Sequence, residues 1–336
     1  MLNNDESLYS FVNRRFGPEV AKFAIDPLAR GVFAGNARDL SVMSLGKRLH
    51  DVEQKYGSVL KGLIKDKKNA MKIEPSLLKC ELVKRARLEK WSVWSLEGGL
   101  KTLVERLIEL NTERGIMIKK NSPVINIDLN KNRNINIFTD NEVIEAQNVI
   151  SCLPANKLAK VIKNIDEDLS TIMKSINFAT VAVVNLVFSG DLIKEPGFGY
   201  LVPSTEDSKV LGVIYDTCVF PKENKTVFTV MMGGYWFNKY FGEKFTEKQF
   251  LKIATDELSH TLKIQQNPIH YQVSILKDCI PQYTVGHFER VINAKNILKH
   301  KNIPLWLAGN SYDGVGVNDA ILSSKNVIKN IEITNS

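Results

Sequence analysis

Apolar residues in the first sixty positions of the chain recur with the spacing of amphipathic helices. The first such face is formed by Leu8, Phe11, Val12 and Phe16. Gly17-Pro18 then ends one helix and begins another, and the pattern continues to Gly62. This region is therefore predicted to be an all-α lobe. Its irregular feature is a predicted turn at residues 30–36, where two glycines flank apolar residues. Such a turn either lines a pocket or simply connects two helices.

The pattern changes to mixed α and β after Trp91. A helical stripe over residues 100–108 is ended by Gly115, and short strands are predicted at 124–129, 134–139 and 143–146. A continuous apolar strand follows at 148–153 and ends at Pro154. An uninterrupted apolar strand is typical of a parallel or mixed sheet that is covered by helices on both faces.

Residues 178–303 form a second region that is rich in predicted strands. A helix is expected at 247–262, and the strands fall at 179–188, 199–202, 210–215, 226–232 and 270–276. This order predicts one large antiparallel sheet with helical cover. The last strand and helix, within 305–331, have the same mixed α and β pattern as residues 91–153. This indicates a discontinuous domain, to which the chain returns at its end.

The segment that points most directly to chemistry is PLWLAGNSYDGVGVNDAILSS, residues 304–324. A short strand leads into Gly309, and a glycine-rich turn containing Gly314 and Gly316 delivers Asn318 as the expected cap of a helix. Glycines allow close main-chain approach, and a helix start presents unpaired N–H groups with a partial positive charge. The turn is thus a candidate anion site, although a plain strand-to-helix connection has the same pattern. Neither Gly-x-Gly-x-x-Gly nor a glycine-rich Lys-Ser/Thr phosphate loop occurs.

Length and charge narrow the class of protein. A chain of 336 residues is expected to fold as two or three lobes. The net charge is +8, and residues 61–90 hold ten Lys or Arg against four Asp or Glu among apolar residues. Such a segment suits an anionic membrane surface or an acidic ligand, or is a solvated surface. No nucleic-acid-binding module is recognisable.

Several other classes are disfavoured by the sequence. The longest apolar run, 179–188, is interrupted by Asn185 and is far shorter than the roughly 20 residues of a membrane-spanning helix. The N-terminus shows neither a secretory signal nor a transit peptide. The widely spaced Cys80, Cys152, Cys218 and Cys279 favour buried free thiols over a zinc site or disulfides. We therefore name no metal ligand.

Taken together, several segments resemble the protoporphyrinogen oxidase family, the oxygen-dependent, FAD-containing enzymes of haem synthesis, in its eukaryotic form. The matching segments cover essentially the whole chain: FVNRRFGPEVAKFAIDPLARGVFAGN, SVMSL, WSLEGGL, VAVVNLVF, GFGYLVPSTED, LGVIYD, DCIPQYTVGH and LAGNSYDGVGVND.

The resemblance implies an α+β fold with three parts. Residues 1–75 would form an all-α, membrane-facing lobe, and 154–302 a substrate-binding domain with an antiparallel sheet. Residues 76–153 and 303–336 would form a discontinuous α/β FAD-binding domain of the flavin amine-oxidase type. That domain would be incomplete, because family members begin with a βαβ unit that carries Gly-x-Gly-x-x-Gly. A chain without this unit is expected to bind FAD weakly or not at all and to have little oxidase activity.

Cofactor contacts follow from the same resemblance. The adenine-side backbone contact would fall on Val124, after Pro123 at the start of a strand. The contacts at the flavin end would fall on Val315, Gly316 and Val317. Gly314 and Asn318 are added for main-chain approach and helix capping.

Substrate contacts of the family correspond to Gly31, Phe198, Gly199, Leu201 and Met231. A flat macrocycle is well matched by an aromatic face, branched and sulfur-containing walls, and glycines at its edge. Each position could instead belong to a core. Arg30 is a candidate for binding a propionate or for a structural hydrogen-bond network. Leu276 departs from the aromatic residue that many relatives have near the flavin.

The implied reaction oxidises protoporphyrinogen IX to protoporphyrin IX by hydride transfer to flavin N5, with oxygen giving hydrogen peroxide. Only five histidines are present, and no side chain is assigned as a catalytic acid or base. The resemblance also implies a possible homodimer at the mitochondrial inner membrane, on its intermembrane-space face. Two alternatives stay open: a catalytically silent remnant that retains porphyrin binding or dimerisation, and another flavin amine-oxidase-like enzyme.

Overall fold

The computed structural model describes residues 5–66, 77–91, 94–242 and 245–335. The N-terminal part is helical, as the sequence predicts. Its elements are α1 (Leu8–Phe16), α2 (Pro18–Val20), a π-helical turn (Ala21–Ile25), α3 (Asp26–Phe33), α4 (Val42–Leu45), α5 (Lys47–Tyr56) and α6 (Val59–Asp66). The Ser7 side chain caps α1 by accepting a hydrogen bond from the Ser10 amide at 3.1 Å, and Phe11 is fully buried in the core beneath.

The mixed region combines a small antiparallel sheet with a parallel strand pair. Its elements up to the large sheet are α7 (Glu81–Leu88), α8 (Lys101–Glu113), β1 (Val124–Leu129), β2 (Ile135–Thr139), β3 (Val143–Ala146), β4 (Val149–Ser151), α9 (Ala155–Val161) and α10 (Glu167–Lys174). The order of the three-stranded sheet is β1-β2-β3. Of the basic segment 61–90, residues 67–76 lie outside the described residues.

The large sheet has the antiparallel arrangement that the sequence predicts. It comprises β5 (Phe178–Ser189), β6 (Gly199–Leu201), β7 (Val210–Tyr215), β8 (Lys225–Gly234) and β9 (His270–Pro281). Their spatial order is β6-β7-β8-β5-β9. Helices α11 (Asp216–Val219), α12 (Phe237–Tyr240) and α13 (Glu247–Leu262) lie between the strands in the chain. β9 extends five residues beyond its predicted end because a bulge opposite Thr180 lets the pairing continue.

The chain then returns to the mixed region through α14 (His287–His300), β10 (Leu305–Leu307) and α15 (Val317–Asn335). β10 pairs in parallel with β4, with Leu305 opposite Val149. One apolar core joins residues from both passes of the chain, including Leu158, Val291 and Leu305. The final strand therefore packs with the mixed region, as the sequence predicts. The division into three domains stays a prediction.

Two general features bear on the earlier expectations. All four cysteines are free, but the expectation that they are buried is wrong: Cys80, Cys152 and Cys218 are exposed, and Cys279 is half-buried. Isolated cysteines carry no pattern that separates a core thiol from a surface one. Within the described ranges, the helices are too short or too polar for any of them to cross a bilayer.

Candidate functional site

The glycine-rich turn lies at the surface, between the end of β10 and the start of α15. Gly309 and Gly314 have φ angles of +100° and +154°, a region that side chains other than glycine rarely adopt. Val315 is half-buried, and Gly316, Val317 and Asn318 are exposed. The turn is therefore accessible to a ligand.

The residue that caps α15 differs from the one the sequence suggested. The helix begins at Val317, so Asn318 lies inside its first turn, and the prediction that Asn318 is the cap is wrong. Instead, Asp319 Oδ2 accepts a hydrogen bond from the Gly316 amide at 3.1 Å. An acidic residue at the third helical position can reach back in this way to the amide that precedes the helix. Two adjacent capping residue types in the sequence left the choice open.

Three main-chain amides at this helix start are available as donors. The N–H groups of Val315, Val317 and Asn318 have no acceptor within the described part of the chain. The first amides of any helix lack an intrahelical partner, and the aligned peptide dipoles of the long helix α15 add a partial positive charge. The turn thus fits an anionic or hydrogen-bond-accepting ligand edge. Two of the three, Val315 and Val317, are positions at which the resemblance places flavin-end contacts, and the amide of the third such position, Gly316, is bonded to Asp319.

Two aromatic side chains hold the turn from its buried side. The Tyr283 hydroxyl donates to the Asn310 carbonyl at 2.6 Å and accepts from the Gly314 amide at 3.0 Å. The His287 ring stacks on the Tyr283 ring, with centroids 3.8 Å apart, and its Nε2 bonds to the Tyr312 carbonyl at 3.1 Å. Sequence reasoning assigned neither residue a role. Their only signal was their presence in the motif DCIPQYTVGH.

Burial fixes the protonation of this pair. It raises the pKa of the Tyr283 hydroxyl, so that the proton needed for donation to Asn310 is retained. Burial also lowers the pKa of His287 to about 4, opposed by its hydrogen bond to Tyr312. A neutral His287 that faces a carbonyl through Nε2 must carry its proton there. Its Nδ1 is buried and has no hydrogen-bond partner among the described residues.

Val124, the predicted adenine-side contact, begins β1 opposite Thr139. Its half-buried side chain packs against the core that also contains Tyr312. The structure therefore attaches β1 and the glycine turn to the same core. The cofactor roles of Val124, Gly314, Val315, Gly316, Val317 and Asn318 stay predictions.

Leu201 and Met231, two of the predicted substrate residues, lie in one cross-strand row. Leu201 of β6 is opposite Gly212 of β7, and Gly212 is opposite Met231 of β8. Directly opposed residues of antiparallel strands point to the same face. A Cβ atom at Gly212 would contact the Leu201 side chain, so this glycine leaves room between the two larger residues. Gly212 was not identified from the sequence.

Gly31 approaches this row from the helical lobe. A Cβ atom at Gly31 would overlap Leu201 Cδ2. The prediction of a turn over residues 30–36 is wrong for residues 30–33, because α3 continues to Phe33 and the left-handed residue is Ala34, with φ 50°. Gly31 is thus a site of close packing between helix and sheet, a requirement that the local pattern cannot show.

An apolar pocket of about 540 Å³ opens beside Leu201. The π-helical turn contributes Phe23, and α1 contributes Phe16. Leu28 of α3 completes this side, and Phe23 is 55% exposed at the mouth. Single π-helical turns within helices are frequent at functional sites. The pocket can accept an apolar ligand.

Phe198 and Gly199 are not among the residues that line this pocket. Gly199, with φ +142°, pairs with Ile214, and a Cβ atom there would overlap the Val213 carbonyl. Strand pairing alone therefore requires this glycine. Phe198 is 64% exposed, and its carbonyl accepts from the Tyr215 amide at 3.0 Å. The substrate roles of Gly31, Phe198, Gly199, Leu201 and Met231 stay predictions.

Arg30 is buried, at 1% exposure, and bonds to main chain. Its guanidinium donates to the Pro203 carbonyl at 3.0 Å and to the carbonyls of Ser208 and Val210. The group also lies 4.7 Å from the centroid of the Trp236 ring. Burial lowers the pKa of Arg30. These contacts tie α3 to the loop between β6 and β7 and favour the structural alternative for this residue.

Comparisons with known proteins agree with this arrangement. A family model described as "Flavin containing amine oxidoreductase" matches residues 1–330. The chain is 37% identical over 327 residues to protoporphyrinogen oxidase of Homo sapiens, covering 96% of this chain and 68% of that protein. It is 30% identical over 377 residues to the Dictyostelium discoideum protoporphyrinogen oxidase, covering 99% and 71%.

Solved structures share the fold at lower sequence identity. A crystal structure from Exiguobacterium sp. 255-15 matches with a TM-score of 0.77 at 22% identity, covering 99% of this chain and 68% of that one. Reduced UDP-galactopyranose mutase matches with a TM-score of 0.68 at 13% identity, covering 98% and 68%. At these identities the likeness concerns the fold alone.

Proposed function

Because the chain belongs to the flavin-containing amine oxidoreductase family and, within it, to the protoporphyrinogen oxidases, we propose that it oxidises protoporphyrinogen IX to protoporphyrin IX in haem biosynthesis. FAD is the proposed cofactor and oxygen the final electron acceptor, with hydrogen peroxide as by-product. The observation that carries this proposal is the exposed start of α15, where three amides that have no acceptor among the described residues lie on a glycine turn.

The main chain of the turn would hold the flavin end of FAD. The amides of Val315 and Val317 are donors for its hydrogen-bond acceptors, and Gly314 and Gly316 permit close approach. Asn318 contributes a further amide, and Val124 of β1 would contact the adenine side. Bound FAD supplies the hydride acceptor for the reaction. The protein's own contribution is to bind and orient the substrate and to exclude water.

The row formed by Leu201, Gly212 and Met231 would provide the apolar surface for the macrocycle, with Gly31 at its edge. Phe198 and Gly199 would extend this surface at the start of β6. Flat apolar ligands bind to branched and sulfur-containing side chains with little polar cost. A propionate-binding role for Arg30 stays a prediction, since its guanidinium already donates to the main-chain carbonyls of Pro203, Ser208 and Val210.

The test replaces Val317 by proline. Val317 is the first residue of α15, a position where proline suits the helix geometry and removes only the amide donor. We expect the dissociation constant for FAD, measured by fluorescence titration, to rise about tenfold, because one hydrogen bond contributes about 1 to 1.5 kcal/mol. Formation of fluorescent porphyrin and of hydrogen peroxide should fall at limiting FAD.

The matched control is Val317→Ala. Like the proline variant it lacks the valine side chain, but it keeps the main-chain amide donor. It should bind FAD as the wild type does, within about twofold. An equal loss of affinity in both variants would show that the side chain, not the amide, contacts the ligand. A wild-type chain that shows no flavin absorbance band and no porphyrin formation with added FAD would refute the function itself.

We also propose that the helical lobe faces a membrane. Apolar side chains are exposed along it, with Val32 at 52%, Leu60 at 63% and Ile64 at 71% exposure, and lysines follow on α6. Exposed apolar residues beside basic ones favour a monotopic contact with anionic lipid. The Nicotiana tabacum relative is named as mitochondrial. The proposed location is the intermembrane-space face of the mitochondrial inner membrane, where the protein could form a homodimer.

Liposome flotation with and without anionic lipid tests this contact. Replacement of Phe23 by aspartate should reduce flotation severalfold, since a charge at a membrane-inserted position is costly. The control is Ile269→Asp, which alters an equally exposed residue before β9, at 59% exposure. Equal flotation of the two variants and the wild type would exclude the proposed surface. Protease protection in isolated mitochondria tests whether the protein lies on the intermembrane-space face of the inner membrane.

A further inference from the structure

Two buried aromatic residues join the glycine turn to the rest of the molecule. Tyr283 is 1% exposed and His287 is 1% exposed, yet neither belongs to the turn or to α15. Together they bond to every second residue of the segment before α15, namely Asn310, Tyr312 and Gly314. The main chain that leads to the free amides is therefore fixed by side chains from another part of the sequence.

The segment that carries these two residues is itself anchored on two sides. The Tyr283 carbonyl accepts from the Ser41 amide at 2.8 Å, and the Val285 amide donates to the Asp39 carbonyl at 2.9 Å. Gln282 donates from its side chain to the Phe33 carbonyl at 2.9 Å. The helical lobe, including the end of α3, is thus bonded directly to the support of the turn. A rigid support reduces the entropy that a ligand must overcome to order the turn.

We propose that Tyr283 and His287 are positioning residues that set the shape of the glycine turn for the flavin end of the cofactor. The inference rests on the proposed function for the identity of the ligand. Tyr283 fixes the two ends of the turn from Asn310 to Gly314 with one hydroxyl, used both as donor and as acceptor. His287 fixes the middle through the Tyr312 carbonyl and holds the Tyr283 ring by stacking.

The main test is Tyr283→Phe, which removes one oxygen atom and keeps the ring that stacks on His287. The Gly314 amide and the Asn310 carbonyl then lose their partner. We expect the dissociation constant for FAD to rise at least about tenfold and the visible absorption band of bound flavin to shift. In the chain without added FAD, exchange of the Gly314 amide hydrogen, which is bonded to the Tyr283 hydroxyl in the wild type, should become at least about tenfold faster.

The matched control is Tyr200→Phe. The Tyr200 hydroxyl donates to Glu257 at 2.9 Å in the core of the large sheet, so this variant also loses one hydrogen bond of a tyrosine. Its FAD affinity and the exchange rate of the Gly314 amide should stay within about twofold of wild type, and its flavin spectrum should be unchanged. Equal changes in the two variants would mean that general loss of stability, and not the turn, was measured.

His287 provides a second, independent pair of variants. Glutamine at this position can still donate a hydrogen bond to the Tyr312 carbonyl, whereas leucine cannot. His287→Gln should therefore keep more of the flavin affinity and of the exchange protection than His287→Leu. The same loss in both variants would exclude the hydrogen bond to Tyr312 as the means of positioning.

The two arms separate this inference from the proposed function. Wild-type protein that does not bind FAD would refute the function, and the exchange measurements, made without FAD, would then decide whether the pair shapes the turn. Unchanged exchange and unchanged FAD affinity in Tyr283→Phe would overturn the inference even if the wild type is an active flavoenzyme.

Discussion

The large sheet and helix α8 of the mixed region bury their apolar residues to very different degrees. On β8, Phe228, Val230 and Met232 are fully buried beneath α13 and its neighbours. In contrast, α8 buries none of its side chains, and Leu107 is 50% exposed. Since hydrophobic stabilisation scales with the apolar area removed from water, burial in the sheet contributes more stability than burial along α8. The turn region retains accessible surface and free amides for a ligand.

The largest expected effect is the difference in stability between a variant in the sheet and one on α8. Phe228→Ala removes a side chain that meets Phe188 and Tyr215 edge to face, so the free energy of unfolding should fall by about 3 to 5 kcal/mol. Leu107→Ala on α8 should change it by no more than about 0.5 kcal/mol. Urea unfolding measures both. Comparable losses in the two variants would contradict the contrast between the regions.

The turn region should contribute a pH dependence of stability through the buried His287. Burial lowers the pKa of His287 from 6.5 to about 4, with Arg290 lowering it further and its bond to Tyr312 opposing this. The unfolded chain therefore binds a proton between about pH 6.5 and 4 while the native chain does not. Stability is complete above about pH 6.5 and is lost as the pH falls to 4, by up to about 3 kcal/mol.

His287→Gln should flatten this part of the stability profile, as measured by urea unfolding at a series of pH values. The control His270→Gln alters an exposed histidine on β9 and should leave the slope unchanged. Comparing each variant with wild type removes the contribution of carboxylates that titrate in the same range. Identical slopes for His287→Gln and wild type would show that His287 is not held neutral.

Arg30 tests how firmly the helical lobe is joined to the sheet. Arg30→Lys keeps the charge but cannot reproduce the fork of donors to Pro203, Ser208 and Val210, so stability should fall by about 2 kcal/mol. The KM for protoporphyrinogen should change little at a temperature where the variant is folded. A large rise in KM with unchanged stability would instead support the propionate role.

The smallest change in stability is expected for Gly31→Ala. Alanine favours a helix by up to about 1 kcal/mol over glycine, which offsets the displacement of the flexible Leu201 side chain. Melting should therefore be nearly unchanged, whereas the KM for protoporphyrinogen should rise severalfold as Leu201 moves in the predicted pocket.

Gly62→Ala provides the control, because it is also a helical glycine that faces side chains, those of Val52 and Tyr56 in the helical lobe. Its effect on KM should be negligible. If Gly31→Ala and Gly62→Ala alter the KM equally, Gly31 has no specific place at the substrate surface.

The sequence by itself determined the secondary structure and the family. Helical spacing predicted the N-terminal lobe, and alternation with turn signals predicted the antiparallel sheet, which the structure confirms. The position of the glycine turn also followed from the sequence, because strand end, glycines and helix start are adjacent in the chain.

Only the tertiary structure decided which residues hold this arrangement together. Arg30 bonds to Pro203, 173 residues away, and Tyr283 bonds to Asn310, 27 residues away. The choice of Asp319 rather than Asn318 as the cap depended on where the first helical turn begins. Periodicity reports the local environment of a residue, whereas the contacts of Arg30 and Tyr283 arise when distant segments pack. For that reason the elements could be predicted, and their mutual supports could not.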